Sequence, residues 1–215
     1  DYDVFYRNAG PLTFNDASRE AGIAETTIPF LGWGVGFLDF DNDGWKDLFV
    51  ADGHVYPQVD QHDWGTSFAQ RPLLFRNAHD GKFVLIPAVK GTGLAALLTA
   101  RGAAFGDLFN DGRIDVVINN LDAPPTLLRN VDPDHRHWIE FALLGGPRSP
   151  RDAVGASVFL TAGGLRQRGD LLSGGSFASS SDPRVQFGLG DATAIQKLEV
   201  HWAEAAVEHI APPSP

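Results

Sequence analysis

Short apolar runs, broken by glycine and by acidic turns, set the rhythm of this chain. Val35–Leu38 is apolar and leads into "DFDNDGWKD" at 39–47, and Leu48–Ala51 is apolar again and leaves it. Runs this short, bounded by turn residues, predict strands. Leu73–Asn77 and Lys82–Ile86 predict a hairpin around "AHDG", where Asp-Gly favours a tight turn. Val116–Asn119 predicts another buried strand. "LAALLTA" at 94–100 has helical propensity, but its flanking glycines predict a loop or one helical turn. Further on, "WIEFAL" at 138–143 alternates like a strand. "AVGASVFLTAGG", "GDLLSGGSFASSSDPRVQFGLG" and "KLEVHWAE" add short strands between Gly, Ser and Asp-Pro turns.

The pattern also repeats. "VFYRNAGPLTF" at 4–14 resembles "LLFRNAHDGKF" at 73–83, so Asn8 matches Asn77 and Phe14 matches Phe83. "GWGVGFLDFDNDGWKDLFVADG" at 32–53 aligns with "ARGAAFGDLFNDGRIDVVINNL" at 100–121, so Phe37 matches Phe105 and Asp39 matches Asp107. The period is about 70 residues, and "LLRN" at 127–130 opens what reads as another copy. Four short strands per unit describe a β-propeller blade. After residue 130 the repeat stops, and "DPDHRHW" and "GGPRSP" mark a boundary by composition. The expected fold is all-β. Residues 1–130 are about two blades and the start of a third, an incomplete propeller, and residues 131–215 are a small antiparallel β domain.

The acidic turn raises a chemical question, because Asp39, Asp41, Asp43 and Asp47 repel one another unless a cation sits among them. Calcium takes six to eight oxygens at about 2.3–2.6 Å, and alternate Asp side chains in a tight loop supply them. Asp39, Asp41 and Asp43 point inward from one turn, and Gly44 allows the bend. The Trp45 carbonyl fills the backbone position and Asp47 closes the site. An EF-hand is excluded, because its closing Glu position is occupied here by Val50. The second copy keeps Asp107, Asp111, Gly112 and Asp115 but has Phe109 in place of the second ligand. Three states are open to it: a weak calcium site, a water site, or a hydrogen-bonded turn.

Composition narrows the function. The chain has 215 residues, a net charge of −10 and a pI near 5.0, which argues against nucleic acid and anionic membranes and permits cations. No apolar run is long enough to span a bilayer. Cys is absent, which excludes disulfides, zinc–thiolate sites and thiol nucleophiles. Met is absent too, so a processed or partial product is expected. No N-x-S/T sequon occurs.

On these residues the repeat region resembles FG-GAP/VCBS repeats, the calcium-binding blades of integrin-α-type propellers. "RDAVGASVFLTAGG", "SGGSFASSSDPRVQFGLGD" and "LEVHW" resemble the ASPIC/UnbV domain. The combination is similar to that of the cartilage acidic protein family and its bacterial homologues. The resemblance implies an extracellular protein, secreted or at the cell surface, with blades held by calcium and a role in binding and adhesion. It implies Ca²⁺ ligands at Asp39, Asp41, Asp43, Trp45 (carbonyl) and Asp47, and at Asp107, Asp111, Arg113 (carbonyl) and Asp115. Ser180, where Gln is usual, and Ala203 and Glu204, where Pro-Ser is usual, depart from the pattern.

Other groupings carry less. His54, Asp60, His62 and Asp63 could bind a transition metal or act as acid and base, but no spacing converges them, and a solvated loop is expected. "HRH" at 135–137 reads as an exposed linker. The serines of 173–181 lack a nucleophile elbow and read as a strand and turn within the β domain. Trp33, Trp45, Phe75 and Phe83 read as packing residues, and Trp64 as an exposed aromatic suited to a sugar. The expected protein is therefore not an enzyme. It is a calcium-stabilised extracellular protein that self-associates through its blades into an oligomer or polymer. The alternative is a fragment of a larger propeller that binds a carbohydrate or protein ligand through its loops.

Overall fold

The chain opens with an exposed hairpin of β1 (Tyr6–Gly10) and β2 (Thr13–Asp16), followed by a short helix, α1 (Ala24–Thr27). β3 (Gly32–Leu38), β4 (Asp47–Asp52), β5 (Leu73–Asn77) and β6 (Phe83–Leu85) then build an antiparallel sheet in sequence order. β7 (Ala100–Gly106), β8 (Asp115–Asn120) and β9 (Thr126–Leu128) repeat the first three of those strands in a second sheet. The register is shared, since Leu38 faces Asp47 and Gly106 faces Asp115 across the two acidic turns. This computed structural model describes residues 1–147, 149–204 and 206–212.

The C-terminal strands are β10 (His137–Phe141), β11 (Ser157–Ala162), β12 (Leu165–Asp170), β13 (Val185–Gly190), β14 (Ile195–His201) and β15 (Val207–Ile210). β10 pairs with β13, and a four-stranded sheet runs β12-β11-β14-β15. The fold is all-β, with several antiparallel sheets and none closed among the described residues. No helix among them is long and apolar enough to cross a membrane. The stretch at 94–100 contributes one 3₁₀ turn at Gly93–Ala95, in line with its glycines.

The repeat has a different phase from the one expected. Residues 126–128 do not open a third unit, because they pair with β8 as the third strand of the second sheet. The segment 4–14 corresponds to β5–β6, the last two strands of a sheet, and stands here as a hairpin on its own. Each sheet therefore begins at its glycine-rich strand, β3 or β7.

Two apolar layers hold the sheets. Ala21, Ile23 and partly buried Phe5 cover one face of the first sheet against Leu48, Val50, Leu73, Phe75 and Phe83. Phe49, Ala51 and Leu38 pack its other face against Ala103, Val116 and Ile118. Each large side chain removed from water there contributes about 1.5–3 kcal/mol. Glycine makes the close approach possible. A Cβ on Gly36 would collide with the Phe105 ring, so Phe105 fits as a knob onto bare backbone. A third core, with Val158, Leu160, Phe187 and Val200 at its centre, belongs to the C-terminal strands.

The serine-rich stretch is not a strand within that module. It reaches across the edge strands β3 and β7 of the first two sheets. Val35 N–H donates to Ser176 Oγ at 2.9 Å, Phe105 N–H donates to Ser181 Oγ at 3.2 Å, and Asp182 N–H donates to the Phe105 carbonyl at 2.9 Å. Trp33 packs on Phe177 with ring centroids 5.0 Å apart. Unpaired edges of β3 and β7 are thus covered, which protects them from pairing with other chains.

Candidate metal centre

The hairpin between β3 and β4 carries the first acidic turn, and its shape comes from carboxylates that cap backbone donors. Asp39 accepts from Asp43 N–H at 3.0 Å and from Gly44 N–H at 2.9 Å. Asp47 accepts from Phe40 N–H at 3.0 Å and from Asn77 N–H at 2.8 Å, which ties the turn to β5. Gly44 has φ of +91°, a conformation that side chains disfavour. The result brings Asp39, Asp41 and Asp43 together, each with a carboxylate oxygen within 4.8 Å of the others.

Charge in this pocket is only partly compensated. Asp41 Oδ2 meets Arg76 at 2.7 Å and Arg136 at 3.1 Å, and Asp43 Oδ2 meets His79 at 2.7 Å. Asp43 Oδ1 accepts from Trp45 N–H at 2.8 Å, and the Trp45 ring stacks on His79. Asp41 Oδ1, however, is buried with no partner. An orphaned buried acceptor costs about 1–3 kcal/mol, more when charged. Burial pushes the Asp39 carboxyl up to about 6 and the Asp47 carboxyl up to about 7. A hard cation ligated by Asp39, Asp41 and Asp43 would satisfy the orphan oxygen and relieve the desolvation penalty, so these residues fit an oxygen-liganded metal.

The second turn has the same hydrogen-bond frame with different charges. Asp107 accepts from Asp111 N–H at 3.0 Å and Gly112 N–H at 2.7 Å, and Asp115 accepts from Leu108 N–H at 3.2 Å and Asn130 N–H at 2.8 Å. Phe109 stands where Asp41 stands in the first turn, and the Arg129 guanidinium lies 4.2 Å from its ring centre. Arg113 and Arg129 bond Asp111 Oδ2 at 3.1 and 3.4 Å. Among the described residues, no convergent group of three carboxylates forms there. Of the three states open to 107–115, the geometry favours a hydrogen-bonded, arginine-neutralised turn.

The loop histidines stay apart. His54 Nδ1 accepts from Tyr56 N–H at 3.1 Å, Asp60 accepts from Phe68 N–H at 2.8 Å, and His62 stacks on Trp64 at 4.4 Å. The "HRH" stretch is not a free linker, because its Arg136 grips Asp41.

Several residues of the site were not read from the sequence. Asn77 and Asn130 each donate their amide N–H to an acidic-turn Asp, and their side chains donate to the carbonyls of Lys46 and Phe40 at 2.9 and 2.6 Å. The repeated "RN" dipeptide is the sequence signal, although Asn77 follows Asp47 by 30 residues and Asn130 follows Asp115 by only 15. Gln186 and Arg184 also reach the turns, with no sequence signal at all.

Residues 146–215 match the family model described as ASPIC and UnbV. The match covers β11 to β15 and the serine-rich stretch, so the C-terminal module is similar to that family. Comparison with curated proteins finds no match.

Proposed function

We propose that this chain is a calcium-stabilised, non-enzymatic extracellular protein that associates with further copies of itself through blades of the FG-GAP/VCBS type. One observation carries the association. Positions that are core in the first sheet are bare in the N-terminal hairpin, and a position of β3 is bare whose counterpart in β7 is packed. Tyr6 is 63% exposed where its counterpart Phe75 is fully buried, and Phe14 is 60% exposed where Phe83 is 8% exposed. Phe37 is 55% exposed, whereas its counterpart Phe105 packs onto Gly36. Exposed aromatics on elements whose counterparts are buried are the surface such a contact would use, and a contact from one side of a blade stack to the other is head-to-tail. Light scattering in calcium should show a mass that grows with concentration. Replacing Tyr6 and Phe37 together by Asp should return a monomer, and a wild-type chain that stays monomeric at every concentration would sink the reading.

Calcium is the cation that best suits an all-oxygen site on a flexible turn. With calcium at about ten times its dissociation constant, binding stabilises the fold by ~1.4 kcal/mol. Chelation should therefore lower Tm by several degrees, and Asp43→Ala should abolish most of that response. Identical melting curves with and without chelator would contradict calcium binding.

A second reading rests on the loop at 53–72. Trp64 is 67% exposed and stacked on His62, beside a groove of about 410 Å³ lined by Phe30, Asp63, Thr66, Ser67, Gln70 and Arg71. An aromatic platform flanked by polar groups suits a carbohydrate, and a glycan array would identify it.

A further inference from the structure

We infer that β13 of the C-terminal module forms one wall of the metal centre, so that cation binding at residues 39–47 and seating of the module are coupled. The inference rests on the calcium reading above and adds a partner to that site. Gly188 lies directly against the turn: a Cβ there would collide with Asp39 Oδ2 and sit 2.5 Å from the Asn42 backbone. Gly190 N–H donates to the Asn42 carbonyl at 2.9 Å. Gln186 Nε2 donates to Asn42 Oδ1 at 3.2 Å and to the Gly112 carbonyl at 2.5 Å, and Lys46 Nζ donates to the Gln186 carbonyl at 3.4 Å. From the linker, Arg136 donates to the Asp41 carbonyl at 2.9 Å.

Asn42 is the pivot. It lies between the ligand positions Asp41 and Asp43, and it adopts a left-handed conformation with φ of +55°. That conformation costs free energy in a non-glycine residue. Its amide donates to the Gly112 carbonyl at 2.8 Å, so Asn42, Gln186 and the second turn share one buried junction. Module contacts therefore hold the backbone that aims the three carboxylates. Preorganising a site raises its affinity. Coupling of this kind is reciprocal, so an ion that favours the aimed turn must equally favour the seated module.

The test is calorimetric titration of the whole chain with calcium chloride, for wild type, Gln186→Ala and Gly188→Val, paired with tryptic cleavage after Arg129 and Arg136 with and without calcium. Weakening of calcium affinity by about fivefold or more is expected in both variants, within the usual range for coupled sites. Calcium should also slow linker cleavage in wild type and lose that effect in the variants. Gln186→Ala removes two hydrogen bonds without adding bulk, so it carries the test should Gly188→Val fail to fold. No binding heat in wild type would overturn the metal reading itself. Equal affinities, or cleavage indifferent to calcium while calcium binds, would overturn the coupling alone.

Discussion

Asp52→Asn should stabilise this protein at alkaline pH and leave it unchanged near pH 4. Asp52 ends β4, is fully buried, and has no hydrogen-bond partner on either carboxylate oxygen. Two charged neighbours bear on it. Asp3, from the N-terminal segment, also has an unpartnered Oδ2 and sits over Gly32, which pairs with Asp52 across the sheet. Arg71, ahead of β5, attracts it. Burial first, and Asp3 second, push the Asp52 carboxyl up to about 8 from an ordinary 3.8. The folded state thus holds a proton that the unfolded chain releases. Below pH 4 both states are protonated and no penalty exists. Between pH 4 and 8 stability falls as pH rises, at up to ~1.4 kcal/mol per pH unit for this group. Above pH 8 the loss levels off.

The repeat supplies the control for that substitution. Asn120 occupies the corresponding position in the second sheet, opposite Ala100 as Asp52 is opposite Gly32. Its amide donates to the Pro124 carbonyl at 2.8 Å and to Thr126 Oγ1 at 2.9 Å. A hydrogen-bond donor is therefore accommodated there, and a protonated Asp52 resembles one. The substituted amide supplies a donor at every pH. Thermal melts across pH 4–9 should give curves that coincide at the acid end and diverge by ~2 kcal/mol or more at pH 8. Parallel curves, or a variant destabilised throughout, would refute a proton held on Asp52 in the folded state.

How much of this was legible beforehand depends on the distance over which each feature is encoded. The strands beside the acidic turns were readable because apolar alternation and Asp-Gly turns are local. β5 matched residue for residue, and β4 differed only at its ends. The equivalence of the two turns was readable because identical residues recur at one offset. The sheet phase was not, since a periodic sequence does not mark where each unit begins. β3 and β7 open their sheets with glycine-rich stretches, which score poorly as strand. Their role emerges only when Gly36 meets Phe105 on another sheet. The module's seat was least legible, because Asn42 meets Gln186 through a contact that no local pattern announces. The carboxylate triad of the first turn sat where its spacing placed it, whereas the arginines around the two turns came from separate stretches of the chain.

Those arginines set up the second large effect, a comparison of Asp47→Ala with Asp115→Ala. Both carboxylates are buried and each accepts two backbone N–H groups, linking its turn to the third strand of its sheet or the residues just after it. Truncation orphans two donors in either case. At about 1–3 kcal/mol per buried orphan, each variant should lose stability in chelator, and Asp47→Ala should lose less at neutral pH and above because it also removes a carboxylate that burial penalises. Calcium should separate them. On the calcium reading the first turn loses the brace that holds the Asp39, Asp41 and Asp43 ligands in place, so Asp47→Ala forfeits the ~1.4 kcal/mol that binding supplies when calcium exceeds its dissociation constant tenfold. The second turn has Phe109 in place of the second carboxylate and forms no convergent triad among the described residues, so on that reading its stability owes little to the ion. Asp115→Ala should therefore keep the wild-type response to calcium, while Asp47→Ala shows none. Denaturant titrations of the three proteins, each with calcium and with chelator, measure that difference of differences. Equal calcium responses in both variants would mean that the ion does not distinguish the turns, and the electrostatic contrast between them would then have no thermodynamic consequence.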